Sequence, residues 1–134
     1  MNSNHIIIAE MNSGHIGQVV GIEKACFSDA WGVNAFEHEI GVASSLCFTA
    51  LLKNRVVSQQ VAGYICSWIC VPECSIHKIC THLSLRRKGI GSLMLKYLIC
   101  QAQADGVDSY HIEVEQENSA AIAFYEKHGF EKRY

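Results

Sequence analysis

Apolar and polar positions along this chain recur at two periods, and the switches between them mark the elements. Ile6 and Ile8 flank Ile7 in a short apolar run that predicts a first strand. From Ser13 or Gly14 the spacing changes to three and four: Ile16, Val19, Val20, Glu23, Lys24 and Phe27 recur on a helix, with Ile16, Val19, Val20 and Phe27 as its core stripe. Ser28-Asp29-Ala30-Trp31-Gly32 interrupts it, and a second short helix carries Phe36 and Ile40 at i and i+4. Alternation returns over residues 45–53, where Leu46, Phe48 and Ala50 oppose Cys47, Thr49 and Leu51. Asn54-Arg55 then predicts a tight hairpin turn into a partner strand over 56–71, interrupted near Ser58-Gln59-Gln60 and ended by Pro72. Residues 75–83 read as the next strand. Residues 89–105 read as a helix with Ile90, Leu93, Met94, Tyr97, Leu98 and Gln101 on one side and Gly106 just past its end. Residues 109–115 alternate again, with Tyr110, Ile112 and Val114 on one face and His111, Glu113 and Glu115 on the other. Asn118 or Ser119 caps a last helix over 120–128, which Gly129 ends. The order β-α-α-β-β-β-α-β-α predicts an α/β (α+β) domain over residues 1–134, with a mixed sheet and helices on both faces.

Composition narrows the classes. At 134 residues, 49% apolar and 18% charged, the chain suits one globular core. A formal net charge of −2 argues against a general nucleic-acid partner, and no apolar run approaches the ~20 residues of a membrane helix. Residues 1–10 lack the basic start and long apolar stretch of a secretory leader, so a cytoplasmic protein is expected. The seven cysteines form no Cys-x-x-Cys. Cys66, Cys70 and Cys74 lie four apart near His77, Cys80 and His82, but this is not a zinc-knuckle spacing. Cys66, Cys70 and Cys80 read as buried free thiols in a reducing compartment, with no metal site.

The densest chemical signal is the run Arg86-Arg87-Lys88-Gly89-Ile90-Gly91-Ser92 between strand and helix. Glycines at 89 and 91 allow a sharp turn and a close backbone approach. The helix that follows has unsatisfied first-turn N–H groups, and its dipole favours an anion there. Arg86, Arg87 and Lys88 crowd positive charge at the helix end that prefers acids, which is costly without an anion beside it. A phosphate or pyrophosphate ligand follows. The Walker sequence is absent, and Met94 stands where a dinucleotide fingerprint needs its third glycine.

Arg86-x-x-Gly89-x-Gly91 resembles the acetyl-CoA motif of the GNAT acetyltransferases, Gln/Arg-x-x-Gly-x-Gly/Ala, and the downstream segment extends the likeness. Glu113-Val114, Asn118, Ala121, Tyr125 and Gly129-Phe130 match the family pattern Glu-Val-x-x-x-Asn-x-x-Ala-x-x-x-Tyr-x-x-x-Gly-Phe. Within the family the chain is most similar to the RimI subgroup, the ribosomal-protein alanine N-acetyltransferases; Ala30-Trp31 and Phe36 fit its Pro-Trp-x-x-x-x-Phe with alanine in place of proline. Thr81 and Leu83 stand where the family has valine and proline, and Glu115 where it has arginine, departures that bear on substrate preference. The resemblance implies a GNAT fold with a mostly antiparallel sheet. It also implies acetyl-CoA as cosubstrate, held by Ile79, Cys80, Thr81, Arg86, Arg87, Lys88, Gly89, Ile90, Gly91, Ser92, Asn118 and Tyr125. The acceptor it implies is a peptide or protein N-terminal amine, with a ribosomal protein as one candidate.

Transfer to an amine needs few groups. A neutral amine must attack, and an α-amine with pKa ~8 needs less help than a lysine near ~10.4. Glu113 takes the family position of the base, with Glu115 and His111 as substitutes on its face; His77, His82 and His128 are further rivals. Tyr125 takes the position of the acid that protonates the leaving thiolate. Asn118 matches a CoA contact and also reads as a helix cap. Phe27 and Trp31 line a substrate groove or staple two helices together. Two alternatives stay open: acetylation of a small amine or polyamine, and a catalytically weak acetyl-CoA-binding module. The family has further strand after Gly129-Phe130, whereas Glu131-Lys132-Arg133-Tyr134 is too short for it, which predicts an open sheet edge and a homodimer through it.

Overall fold

The computed structural model describes residues 5–53 and 59–133. Its five-stranded sheet runs in the order β1-β2-β3-β4-β5. The elements along the chain are β1 (Ile6–Glu10), α1 (Ile16–Cys26), α2 (Val33–Gly41), β2 (Ser45–Leu52), β3 (Gln60–Cys70), β4 (Glu73–Thr81), α3 (Ile90–Ala104), β5 (Ser109–Ile112) and α4 (Ser119–Lys127). β1 to β4 pair antiparallel in sequence order, and β5 lies parallel to β4. A parallel neighbour requires a crossover connection, which α3 provides. The mixed, mostly antiparallel sheet is the expected one. The hairpin turn at Asn54-Arg55 lies outside the described residues.

Helices cover both faces, so the central strands bury side chains of both parities. Phe48, Ala50 and Ile65 pack with Met94, Leu95 and Leu98 of α3 and Tyr125 of α4. Cys47, Leu51 and Tyr64 pack on the other face with Ile16 and Val19 of α1 and Phe36 of α2. The α1 stripe buries Ile16, Val19 and Val20 as expected and adds Ile22 and Glu23. Phe27 is not part of it: α1 ends at Cys26, Phe27 turns to extended backbone, and it stays 38% exposed. In α3 the buried face is Ile90, Met94, Leu95, Leu98 and Ala102, whereas Leu93 and Gln101 are exposed. That helix is apolar on most sides, so contact with the sheet, not the period, decides its phase. Cys66 and Cys80 are buried free thiols, as is Cys74, but Cys70 at the end of β3 is exposed.

One irregularity shapes everything downstream. Cys66 of β3 opposes Lys78 while Ser67 opposes Ile76, so His77 is an extra residue in β4. The pairing of β4 with β5 stops at Ile76, just before it. β4 continues to Thr81 against β3 alone, and β5 ends at Ile112 instead of the expected residue 115. A strand needs a ladder partner, and the partner bends away there. Among the described residues no helix is long and apolar enough to cross a membrane.

Candidate functional site

The glycine turn has the geometry its sequence implies. Gly89 caps α3 with φ 80°, a left-handed conformation, and Arg87 also has a positive φ of 65°. No side chain caps the helix and no acid lies in its first turn; the first turn closes on the Leu93 N–H bonded to the Gly89 carbonyl at 3.0 Å. Buried Ile90 anchors the helix start, leaving the N–H groups of Gly91 and Ser92 at its open end. Arg87 and Lys88 are exposed, and no carboxylate pairs with either among the described residues. Arg86 departs from the expected cluster. Its guanidinium folds back, donating to the Thr81 carbonyl at 3.2 Å, to Cys26 Sγ at 3.2 Å and to Cys80 Sγ at 3.8 Å. It braces the turn against β4 and α1 and does not face the open helix end. Burial pushes the Cys80 thiol up to about 12, so it is an inert hydrophobe and not a nucleophile.

Gly91 shows that three motif segments converge. A Cβ there would lie 3.4 Å from the Phe124 ring of α4 and 3.8 Å from Thr81 Oγ1 at the end of β4. The start of α3, the end of β4 that runs on past its pairing with β5, and α4 therefore meet at Gly91, beside the gap in the ladder between β4 and β5. Ile79, Cys80 and Thr81 run along it, and on the β5 side their backbone polar groups have no ladder partner. Asn118 caps α4 by accepting the Ala121 N–H at 3.1 Å.

Tyr125 is buried in the α3–α4 core at 5% exposure, with Phe124 and Phe130 rings 5.2 and 5.5 Å away. Its hydroxyl has no protein hydrogen-bond partner among the described residues, and the ring borders a cavity of about 910 Å3 beside β5 with Tyr110, Ile112 and Val114. Burial raises its pKa, so it stays a protonated donor at neutral pH. Glu113 and Glu115 lie past the end of β5, exposed, and their carboxylates have no hydrogen-bond or ion-pair partner among the described residues. The expected helix cover on both faces does not extend to Glu113, because the main sheet contacts of α1 and α2 are with β2, β3 and β4. The face carrying His111 and Glu113 is open. His111 is 3.1 Å from Ser109 Oγ and 3.5 Å from Glu73 Oε1. His82 accepts from the Ser84 N–H at 3.2 Å, His128 Nδ1 is 2.8 Å from the Phe124 carbonyl oxygen, and His77 meets the Trp68 ring edge-on at 4.4 Å.

Sequence reasoning missed a buried charge beside the gap. Glu23 is fully buried and accepts from the Tyr64 hydroxyl, from Lys78 Nζ at 2.6 Å and from the Trp31 N–H at 3.0 Å. The Lys78 ammonium also lies 4.6 Å from the Phe27 ring centroid and 4.8 Å from that of Trp31. The available signal was a glutamate on the apolar stripe of α1, four residues after Val19.

The start of α3, with no side-chain cap and with Arg87 and Lys88 exposed beside it, thus lies next to the end of β4 that has no β5 partner, and Tyr125 borders the cavity beside β5. Residues 16–130 match the model of the acetyltransferase (GNAT) family, and the chain belongs to that family. Over 71 residues it is 31% identical to the ribosomal protein bS18-alanine N-acetyltransferase of Salmonella typhimurium strain LT2, covering 53% of this chain and 48% of that protein. The chain thus spans about half the length of the curated relatives it matches. In fold it is similar to the ribosomal-protein-alanine N-acetyltransferase from Escherichia coli, with TM-score 0.83 at 22% identity over 96% of this chain and 79% of that one. The PaiA N-acetyltransferase from Thermoplasma acidophilum, solved with coenzyme A, gives 0.82 at 15% over 96% and 91%.

Proposed function

We propose that this chain transfers the acetyl group of acetyl-CoA to the N-terminal α-amine of a peptide or protein, in the manner its RimI-like resemblance implies. The carrying observation is the convergence of Thr81, Gly91 and Phe124 around the gap between β4 and β5. What supports acetyl-CoA is the donor set: the start of α3 has no side-chain cap and no acid in its first turn, and Arg87 and Lys88 present charge beside it. The turn would hold the phosphates, and the free edge of Ile79, Cys80 and Thr81 would hold amide groups of the extended arm as an added strand does. What acetyl-CoA supplies is an acetyl thioester activated toward attack.

The chain's own residues then have two tasks. The attacking amine must lose a proton as the new C–N bond forms and the C–S bond breaks. Glu113, on the open face beyond β5, takes it directly or through water, with Glu115 or His111 in reserve. The departing sulfur needs a proton, and Tyr125 presents one from a buried position. A low-polarity setting disfavours both anions, so the departing thiolate gains proton affinity there as Tyr125 does.

Incubation with acetyl-CoA and a panel of acceptors, read by mass spectrometry, tests this. A gain of one acetyl group on the α-amine of peptides supports it; a gain only on polyamines moves the acceptor to the small cationic class. The exposed acids Glu113, Glu115 and Glu117 on the open side favour that second reading. Tyr125→Phe is expected to lower kcat by about 10–100-fold with acetyl-CoA binding retained. Glu113→Gln is expected to slow the reaction most at low pH, where little amine is already neutral. Equal rates across pH in both variants would transfer the roles to Glu115, His111 or water.

Self-association belongs to the same reading. β5 has one sheet neighbour among the described residues, and an exposed strand edge templates pairing with a second copy. Sedimentation at rising concentration should show a dimer that weakens on Ile112→Pro; a concentration-independent monomer rules the pairing out. The free thiols fit a reducing, cytoplasmic setting.

A further inference from the structure

The Lys78 ammonium sits in a box with one charged wall and two aromatic ones. Glu23 of α1 bounds it at 2.6 Å, and the rings of Phe27 and Trp31, from the loop between α1 and α2, bound it at 4.6 and 4.8 Å. The Trp31 ring meets Phe36 edge-on at 5.2 Å, and Phe36 meets Tyr64 at 5.7 Å, so the box is backed by packed aromatics. Tyr64 closes it by donating to the second oxygen of Glu23. The Lys78 side chain is 14% exposed and that of Glu23 is 0% exposed, so the carboxylate is shut off from water and the ammonium largely so. A carboxylate with aromatic faces is the chemistry that proteins use to recognise cationic ammonium ligands. Here the chain fills such a site with its own side chain.

The position gives this consequence. Lys78 directly follows His77, the extra residue at which β4 leaves β5. Its ammonium, together with the Trp31 N–H that Glu23 also accepts, ties the α1–α2 loop to the strand bordering the gap. We propose that Lys78 is a positioning residue acting as an internal ammonium ligand, and that the box of Glu23, Phe27 and Trp31 is a primary-alkylammonium site holding the α1–α2 loop in its acceptor-receiving position. The last clause rests on the acyl-transfer reading above; the ammonium site does not. Phe27 and Trp31 then shape the acceptor side through Lys78, with their faces turned to it.

Chemical rescue separates the two parts. Lys78→Ala removes a propylammonium-sized piece of side chain, and propylammonium chloride is the probe, with sodium chloride at equal ionic strength and propanol as controls. Lys78→Ala should melt lower than the wild type, and its Trp31 amide should exchange hydrogen faster. Propylammonium should restore both, saturably, while the controls do nothing. Lys78→Met, which fills the box without charge, should melt well enough to assay and show no rescue. No response of Lys78→Ala to propylammonium overturns the site. In acceptor kinetics Lys78→Ala should raise KM by about tenfold with kcat changed much less, and propylammonium should reverse the rise. An unchanged acceptor KM, with melting and exchange both rescued, overturns the positioning role and leaves the site. Melting and exchange decide the site even if no acceptor is turned over, so its failure and that of the acetyltransferase reading are told apart.

Discussion

Acetyl-CoA, the proposed cosubstrate, is expected to raise the melting temperature of the wild type, and Gly89→Asp combined with Gly91→Asp is expected to abolish that rise. Binding to the native state alone stabilises by about 2.7 kcal/mol at one hundred times Kd, a shift of several degrees that is easily read. Gly89 has φ 80°, so an aspartate there strains the cap at which α3 begins. A side chain at 91 would enter the 3.4 Å contact with Phe124. Both carboxylates would stand at a helix start where the open donors are suited to an anion, and each repels a phosphate. Unfolding is checked by the melting of the variant without ligand and by its circular dichroism. A full acetyl-CoA shift in a folded double variant would remove the phosphate site from this turn. A shift with ATP or a nicotinamide dinucleotide in place of acetyl-CoA would change the ligand class.

Glu23→Ala is expected to be the most damaging single truncation outside the apolar core. It leaves the Lys78 ammonium, 14% exposed, without its counter-charge, and leaves the buried Tyr64 hydroxyl without its acceptor. Breaking one side of a buried pair costs about 3–5 kcal/mol, a large share of the ~5–15 kcal/mol that holds a domain folded. A fall in melting temperature of roughly 10–15 °C follows for a chain of this size. The double variant Glu23→Leu, Lys78→Met should recover most of that loss, because removing both charges removes the uncompensated one. Thermal denaturation of the three forms measures it. A drop of only a degree or two in Glu23→Ala would show that the carboxylate is not the partner that Lys78 depends on. If the double variant is as unstable as the single one, the cost lies in lost packing and not in the stranded charge.

The amino-acid sequence determined the elements whose cause is local. The α3 region was legible because Gly89, Gly91 and Gly106 bracket an apolar period, and β2 because Leu46 to Leu51 alternate without a break. The spacing of Arg86, Gly89, Gly91, Asn118 and Tyr125 determined the family. Tertiary structure decided whatever depends on a distant partner. β5 stops at Ile112, although Glu113 to Glu115 keep alternating, because the ladder is lost where His77 bends β4 away. Leu93 faces out and Leu95 in because a helix apolar on most sides takes its phase from the sheet it meets. Arg86 turns from the anion end because the Thr81 carbonyl and two thiols are within its reach. Glu23 and Lys78 lie 55 residues apart, and no local rule pairs them; burial took Glu23 out of water, and the folded chain brings it the Lys78 ammonium, the Tyr64 hydroxyl and the Trp31 N–H as partners.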